Sequence, residues 1–479
     1  MDQVARGLAA KRGLWYRAGP AHCQARRARA ADPMLKKLRS TVNDLRHLLR
    51  ARENVIAVWP KSYYRRELIP VRCLNRWMFV VNSPAGVQQV MVGNAKNYRK
   101  SPGNTQMLRP LLGNGLFVSE GELWTRQRRL SSPATHGSRL QGYAKIITTT
   151  GAAMLADWRA RGDVHEEDVT EAFTLLTADI ISQIMFGYKL GDRVHLLYEA
   201  FVEYQASHGR MHLLEFLGLP TWLPRPSLRR GRKAVDKFDR VLAEILRAGR
   251  DSSGEMPENF LHLLLSFRDE EGKAMDPGLV RDEMASIFLA GHETTAITLG
   301  WAFYLLERHP EVEVRVQEEL ARVLGGRTPG FEDAPNLPYT RAVIDETLRL
   351  YPPVHAFTRQ AIGADEIGGH KIPAGSFITI SSWVLHRHTL WWEEPEVFKP
   401  ERFLPGQVQK INHHAYIPFG AGARICLGKH LGLLESTLLL AQIAQSFRLR
   451  VRPGHTVEPL GRMTLRPRGG LPMRIQRRA

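Results

Sequence analysis

The residue with the clearest chemical role in this chain of 479 residues is Cys426, which lies in the segment FGAGARICLG at residues 419–428. Three glycines there allow a tight turn that brings amide N–H groups close to one sulfur. The apolar run at residues 427–447 then begins a helix, whose positive N-terminal end stabilises a thiolate. The pattern F-G-x-G-x-R-x-C-x-G arises by chance in a chain of this length with a probability on the order of 10⁻⁵.

A second candidate for chemistry is the acid–alcohol pair Glu293-Thr294, in the sequence AGHETT at residues 290–295. It belongs to a predicted helix that starts at Asp276-Pro277, an N-cap followed by proline, and ends at residues 309–310. The centre of this helix is apolar nearly all round, which indicates that it crosses the interior. The dipeptide HE would begin a zinc-peptidase HExxH motif, but residue 296 is alanine, so the second ligand is missing.

In the segment around Cys426, the chain resembles the cytochrome P-450 family of haem-thiolate monooxygenases. The resemblance extends from about Val55 to Gln476. In that family a cysteine thiolate is the axial ligand of the haem iron and favours O–O cleavage. The resemblance implies haem b as cofactor, dioxygen as co-substrate and Cys426 as the metal ligand. It also implies a mainly α fold with small β-sheets, the triangular P-450 fold, with the haem between the long helix and the Cys-bearing loop.

Five further residues match haem-binding positions of the family. Phe419 matches the aromatic residue beside the sulfur, and Arg424 matches a partner of a haem propionate. Trp124 and Arg128 stand one helical turn apart and match a propionate-binding pair. Arg359 resembles a further propionate contact. An arginine beside a propionate forms a charge-assisted hydrogen bond, so the chemistry of these positions agrees with the resemblance.

The same resemblance assigns a role to the AGHETT segment, which lies over the distal face of the haem in the family. Gly291 would permit close approach and a local opening of the helix. A threonine hydroxyl there can hold the water that delivers protons. We therefore expect Glu293 and Thr294 to act as a proton relay. The alternative for the two residues is a helix-surface acid and a hydroxyl bonded to its own helix.

A buried ion-pair triad is also expected from the family pattern. Glu346 and Arg349 stand three residues apart on a helix that ends at Pro352-Pro353. Arg402, in the segment PERF at residues 400–403, would complete a structural triad on the thiolate side. Pairs of this kind are weak when exposed. Within a buried triad, removal of one member would cost roughly 3–5 kcal/mol because it leaves a charge unpaired.

The formal net charge of +19 invites a nucleic-acid or anionic-membrane function, but it is concentrated at the ends of the chain. Residues 1–52 hold 13 basic and 3 acidic side chains, and residues 448–479 hold 9 and 1. The middle 395 residues therefore carry only +1. A nearly neutral body without an array of basic and stacking aromatic residues argues against nucleic-acid binding, so the non-enzymatic alternative is disfavoured.

Two properties of the chain bear on its location. The three cysteines are widely spaced and form neither a disulfide framework nor a zinc ribbon, which favours a reducing compartment. No stretch approaches the roughly 20 apolar residues of a membrane-spanning helix. We therefore expect a cytoplasmic bacterial protein, with peripheral membrane association left open.

The N-terminal region divides into two predicted parts. Residues 1–33 read as a disordered basic extension; the Arg- and Ala-rich composition partly resembles a transit peptide, yet no Ser or Thr precedes Ser40. Residues 34–479 are expected to form a single haem-thiolate catalytic domain. Residues 34–52 predict an amphipathic basic helix, which would either pack on the body or make a weak contact with anionic lipid.

Further along the chain, two β-rich runs at residues 69–74 and 77–81 predict a hairpin. Nearly everything at residues 121–350 reads as helix, whereas residues 366–373 and 377–381 return to strand-like patterns. We therefore expect a fold of many helices and a few small sheets arranged around one site.

The resemblance implies monooxygenation, in which one oxygen atom of O2 enters a C–H bond and the other leaves as water. A peroxygenase or a peroxide-rearranging isomerase is the enzymatic alternative, although such members usually lack the acid–threonine pair. Because the chain stops about fifty residues after Cys426, we expect electrons from an external ferredoxin or flavodoxin with its reductase. A basic docking patch for such a donor is predicted at Arg126, Arg129, Lys429 and His430.

The substrate is expected to be small and apolar, such as a fatty acid, terpenoid, steroid or aromatic compound, because Leu, Phe and Met are abundant in the variable stretches of the expected pocket. A monomer is expected. The stretches are residues 102–117, residues 198–224, the long helix, residues 354–358 and residues 463–465.

Overall fold

The computed structural model describes residues 49–73, 76–208, 226–251, 259–268 and 272–478. The predicted extension at residues 1–33, most of the predicted basic helix at residues 34–52 and part of the pocket stretch at residues 198–224 lie outside the described residues. The strands of the described part form one five-stranded sheet, one three-stranded sheet and two two-stranded sheets.

Helices dominate the described chain, and the strands lie mainly in its first and last thirds. The helices are α1 (Pro84–Gln88), α2 (Pro102–Leu112), α3 (Gly121–Ser131), α4 (Gly137–Ala160), α5 (Val169–Phe186), α6 (Arg193–His208), α7 (Pro226–Asp251), α8 (Phe260–Ser266), α9 (Pro277–Arg308), α10 (Pro310–Leu324), α11 (Pro338–Leu350), α12 (Ser382–Leu385) and α13 (Lys429–Ser446). The strands are β1 (Leu68–Cys73), β2 (Arg76–Val81), β3 (Tyr98–Lys100), β4 (Val164–Asp168), β5 (Phe357–Ala361), β6 (Asp365–Ile367), β7 (His370–Ile372), β8 (Phe377–Ile380), β9 (Phe447–Val451), β10 (Pro459–Gly461), β11 (Leu465–Pro467) and β12 (Pro472–Arg477).

Helix α9 runs through the interior with the ends that the sequence predicts. The Asp276 side chain accepts a hydrogen bond from Leu279 N–H at 3.1 Å, and Pro277 occupies the first turn, where its missing N–H costs nothing. Most of its length is buried, including Trp301, which is fully inaccessible. The predicted mainly α architecture with a long central helix is therefore present.

The five-stranded sheet has the order β1-β2-β8-β5-β3. Strands β1 and β2 form the predicted antiparallel hairpin, with Leu68 opposite Val81. Strand β3 pairs antiparallel with β5, which sets Lys100 opposite Arg359. The sheet thus brings together two cations that lie more than 250 residues apart in the chain.

Strand β4 corrects the prediction that residues 121–350 are nearly all helical. It pairs antiparallel with β12, which also pairs with β9. Its sequence VHEED lacks the apolar alternation that identifies a strand. It is extended because β12, more than 300 residues later, supplies its backbone partner.

Helix α5 is the one described helix that is long and apolar enough to cross a membrane, judged by length and composition. Within the protein, 67% of it is buried. The side chain of Ile181 lies against Gly291 of α9. Its apolar surface is therefore accounted for as part of the core beside α9.

Candidate active site

Cys426 lies in a tight loop that ends just before α13. Its backbone N–H donates to Phe419 O at 2.9 Å, so the loop closes on itself. Gly420 and Gly422 have φ angles of 73° and 69°, which glycine adopts without strain. A Cβ on Gly422 would lie 2.0 Å from Met91 O. Positive φ thus requires glycine at residues 420 and 422, and close backbone packing also requires it at residue 422. Helix α13 itself begins at residue 429, two residues later than the predicted apolar run.

The sulfur of Cys426 faces a space inside the protein. Cys426 is exposed, yet burial among protein atoms raises the pKa of its thiol. An accessible side chain surrounded by protein atoms borders a space within the fold. The N–H of Gly428 and the charges of Arg128 and Lys429 lower the pKa, but less than burial raises it. A bound metal cation would favour the thiolate by displacing the proton.

One face of α9 borders an open space in the middle of the core. Ala290 is exposed, and Gly291 and Thr294 are half-buried, although the helix around them is largely buried. Residues three and four apart share a face of a helix. Ala290 and Thr294 therefore border open space, whereas Gly291 packs against Ile181 of α5.

Helix α13, which follows Cys426, contacts α9 at this level. Thr295 Oγ1 donates to Glu435 Oε2 at 3.3 Å, and Gly432 approaches the same hydroxyl. Burial raises the pKa of Glu435 to about 8, and its Oε1 atom has no hydrogen-bond partner among the described residues. Sequence reasoning missed Glu435, although an acid within the apolar run at residues 427–447 was a visible signal.

The structure gives Gly291 a packing role. Helix α9 runs through this residue. A Cβ on Gly291 would lie 2.6 Å from Cγ1 of Ile181 on α5. The hydroxyl of Thr294 donates to Ala290 O of its own helix at 3.0 Å. Glycine is therefore needed here for the approach of α5 to α9.

The carboxylate of Glu293 is directed toward α6 and the β10–β11 hairpin. It accepts hydrogen bonds from Gln205 Nε2 at 2.9 and 3.0 Å and from Thr464 Oγ1 at 3.0 Å. Arg466 Nη2 forms an ion pair with it at 2.7 Å. The predicted partner Thr294 is adjacent in sequence, but the contacts of the acid are these long-range ones.

A cluster of cations lies between α3, β3 and β5. The guanidinium of Arg424 lies 4.2 Å from the centroid of the Trp124 ring and forms an ion pair with Glu120. Burial, with the charge of Arg424 as a smaller cause, lowers the pKa of Arg359 and lowers that of Lys100 to about 7. Two arginines, together with the partly protonated Lys100, outnumber the Glu120 carboxylate and leave a surplus of positive charge. This surplus fits the two propionates of a haem.

Lys100 is a member of this cluster that sequence reasoning missed. Its ammonium group donates to three backbone carbonyls, Phe117 O at 2.7 Å, Ser119 O at 2.9 Å and Leu116 O at 3.3 Å. It therefore holds the chain that leads into α3. Lys100 follows Arg99 at the end of β3 and gives no sequence signal, because its partners lie on another segment.

Arg128 and Phe419 connect the cation cluster to the sulfur. Burial lowers the pKa of Arg128, and the nearby Cys426 sulfur partly offsets this. Phe419 is partly buried against the main core, and its carbonyl accepts the N–H of Cys426. The predicted haem-binding residues thus lie in one region, with the sulfur near Arg128 and the propionate partners around Arg424.

Glu346, Arg349 and Arg402 meet in the core. Both Glu346 and Arg349 are fully inaccessible. Arg349 donates to both carboxylate oxygens of Glu346, at 2.6 and 2.8 Å, and Arg402 Nε lies 3.5 Å from Glu346 Oε1. The contact of Arg402 is the weakest of the three, because its Nε has no partner that satisfies hydrogen-bond geometry among the described residues.

Comparison with known proteins bears on this site. The chain matches the family described as Cytochrome P450 over residues 61–471. Cyclooctat-9-en-7-ol 5-monooxygenase of Streptomyces melanosporofaciens is 34% identical over 82% of this chain and 84% of its own. The ultra-long-chain fatty acid omega-hydroxylase of Homo sapiens is 30% identical over 77% of this chain and 73% of its own.

A solved structure agrees with these relatives. The crystal structure of the cytochrome P450DA heme domain superimposes with a TM-score of 0.77 and 25% identity, covering 86% of this chain and 90% of that one. The family match begins before β1 and ends just before β12. This chain belongs to the cytochrome P450 family and is a haem-dependent monooxygenase that uses a cysteine thiolate ligand and O2.

Proposed function

We propose that this protein inserts one oxygen atom from O2 into a C–H bond of a small apolar substrate, with Cys426 as the axial ligand of haem b. The observation that carries the proposal is the Cys426 sulfur, which is open to an internal space yet surrounded by protein. A positive cluster lies in the same region and suits the two propionates.

Each of the predicted haem-binding residues has a defined task. When bound, the haem supplies the iron at which dioxygen is activated. Arg424 and Arg359 would neutralise the propionates. Trp124 packs against the guanidinium of Arg424, and Arg128 lies near the sulfur. Phe419 holds the loop through its bond to the N–H of Cys426. Together they orient the cofactor and exclude bulk water from its thiolate side.

We assign proton delivery to Glu293 and Thr294 on α9. The Thr294 hydroxyl donates to Ala290 O, so its lone pairs remain able to accept a hydrogen bond from a water in the cavity. Glu293 can accept a proton from water on its other side, where it lines a cleft with Gln205 and Arg466. Replacing Thr294 with alanine should divert O2 reduction from product to peroxide or water.

Substrate class is assigned from the pocket and from the relatives. Met107 on α2, Leu289 on α9 and Met463 before β11 lie partly buried on stretches expected to line the pocket. One relative is named as a 5-monooxygenase of cyclooctat-9-en-7-ol, and another as an omega-hydroxylase of ultra-long-chain fatty acids. We therefore propose a terpenoid or a fatty acid as substrate. A screen of both classes by the haem spin shift would identify which one binds.

The electron donor is proposed to be a ferredoxin or a flavodoxin with its reductase, acting on a cytoplasmic monomer. Arg129 and His430 are exposed on α3 and α13, and Arg126 is half-buried with its guanidinium over the Phe267 ring. An exposed basic surface beside the thiolate loop would attract an acidic donor. Two of the relatives come from Streptomyces, which supports a bacterial setting.

The direct test combines one spectrum and one assay. Cys426→His should abolish the haem-thiolate signature of the reduced carbonyl complex, whereas Cys23→Ser should retain it. With ¹⁸O2 and a donor chain, one labelled atom should enter the product. Turnover with peroxide alone, and none with the donor chain, would instead establish the peroxygenase alternative.

A further inference from the structure

Glu293, Gln205 and Arg466 contact one another pairwise, and we call these three residues the carboxylate cluster. Gln205 and Arg466 both donate to the Glu293 carboxylate, and Arg466 Nη2 also donates to Gln205 Oε1. The three side chains come from α6, α9 and β11. The carboxylate is therefore the common acceptor that joins three elements distant in sequence.

The hairpin that carries Arg466 is anchored to α9 independently of this cluster. Trp301 Nε1 donates to Leu465 O at 3.1 Å, and Leu465 N–H donates to Pro353 O at 3.0 Å. The backbone of Arg466 is thus held beside α9. Its neighbour's anchor, Trp301, lies eight residues after Glu293 on that helix. Gln205, in contrast, is carried by α6, so its contact with the carboxylate ties α6 to this frame.

A small cleft adjoins the cluster on the side of α5 and α6. Its volume is about 30 Å³, enough for roughly one or two waters. The walls include the cluster itself and the side chains of Thr170, Thr174 and Tyr198. Waters here can exchange protons with Glu293, while Arg466 and Gln205 determine where the carboxylate points.

We propose that Arg466 and Gln205 are positioning residues for the Glu293 carboxylate, and that through them the charge on Glu293 is coupled to the docking of α6. The functional meaning of this inference rests on the proposed role of Glu293 in proton delivery. An ionised carboxylate only accepts hydrogen bonds, so it satisfies all donors of the cluster at once. A neutral side chain at this position leaves Arg466 as a partly buried charge without its counter-ion.

The coupling acts in both directions. If a ligand beneath α6 displaces Gln205, the carboxylate loses donors and its charge becomes less favourable. If the charge is removed, the hydrogen bonds from Gln205 to Glu293 weaken, and the bond between Arg466 and Gln205 becomes the remaining strong tie of α6 to this frame. Such reciprocity is a thermodynamic requirement between two linked equilibria. Movement of α6 would therefore change the hydrogen bonds that stabilise the charge on Glu293, the acid to which we assign proton delivery.

The test is hydrogen–deuterium exchange of the α6 amides in the resting holoprotein, which requires no turnover. Glu293→Gln and Arg466→Met should each speed exchange in α6 by about tenfold, and the double variant should exchange no faster than the faster single variant. Arg466→Lys keeps the charge and should restore most of the protection. Multiplying effects in the double variant, or unchanged exchange in both single variants, would overturn the proposal.

A matched control lies on the same hairpin. Arg468 pairs with Glu458 at 2.8 Å and is more exposed than Arg466, so Arg468→Met should leave α6 exchange unchanged. If Arg466→Met fails to retain haem, Gln205→Leu provides the same measurement without removing a charge, and faster α6 exchange is again expected.

The structural inference and the proposed function can fail separately. Faster α6 exchange in Glu293→Gln together with undiminished product per O2 would retain the coupling and refute the proton relay. Unchanged α6 exchange together with lost product per O2 would retain the relay and refute the coupling.

Discussion

Arg349 and His386 exchange two hydrogen bonds at the junction between α11 and the thiolate loop. Arg349 Nη1 donates to His386 O at 2.8 Å, and the imidazole Nδ1 donates to Arg349 O at 3.1 Å. The Nε2 atom of His386 accepts a hydrogen bond from Ile417 N–H at 3.0 Å, and Ile417 O in turn accepts one from Gly420 N–H. The ion pair in the core is thus linked, bond by bond, to the loop that carries Cys426.

His386→Leu should destabilise the protein because it leaves Ile417 N–H and Arg349 O buried without partners. The expected loss is about 2–4 kcal/mol in the free energy of unfolding. Urea denaturation monitored by circular dichroism gives the free energy of unfolding. The haem content shows whether the loop that carries Cys426 keeps its structure. His413, which is exposed, provides the control variant His413→Leu. Equal midpoints for the two variants would show that the link through His386 contributes nothing.

Acid should remove the contribution of His386. Burial, with the charge of Arg349 as a smaller cause, lowers its pKa from 6.5 to about 3. Below pH 6.5 the imidazole of His386 binds a proton in the unfolded chain but stays neutral in the folded protein. The free energy of unfolding therefore decreases as the pH falls from 6.5 toward 3. Relative to His386→Gln, the wild type should lose about 1.4 kcal/mol per pH unit in this window. If the difference in the free energy of unfolding between the wild type and His386→Gln stays constant between pH 7 and 5, His386 is not a buried neutral imidazole.

Glu435 should have the opposite dependence on pH. Burial raises its pKa from 4.5 to about 8, so the folded state keeps a proton that the unfolded state releases. Its contribution is present below pH 4.5 and is lost as the pH rises to 8. Glu435→Gln should therefore gain stability relative to the wild type between pH 5 and 8, measured by urea midpoints. The exposed Glu318 serves as control, and Glu318→Gln should show no such trend.

Gly291→Ala tests the approach of α5 to α9. The new methyl group would meet Ile181 at 2.6 Å, and overpacking of this kind costs about 1–3 kcal/mol. On the same helix, a Cβ on Gly300 would lie 3.8 Å from Leu471. Gly300→Ala should therefore be neutral or stabilising by up to about 1 kcal/mol. If Gly291→Ala is as stable as Gly300→Ala, the glycine is not required for packing.

Arg129→Glu tests the proposed docking of an acidic electron donor. Arg129 is exposed on α3, and reversal of its charge should slow reduction by the donor about tenfold at low salt. The difference should shrink as ionic strength rises, because exposed charges are screened. Stopped-flow reduction measures the rate, with Arg474→Glu on β12 as the control at a second exposed arginine. Similar rates for both variants at low salt would refute this surface.

The thiolate loop and the long helix were predictable from the sequence because their determinants are local. Gly420 and Gly422 adopt positive φ in the loop, as their residue type permits. The ends of α9 follow from Asp276 and Pro277, which act on the first turn alone. Such features need no knowledge of distant residues, and they were sufficient to identify the family.

The sequence by itself therefore determined the family, the mainly α fold and the position of the candidate haem ligand Cys426. Only the tertiary structure decided the partners of Glu293, the strand conformation of β4 and the link from Arg349 through His386. These depend on residues that lie from 37 to more than 300 positions away. A residue type limits what a side chain can bind, but its surroundings in the folded chain determine which partner it meets and which charge it carries.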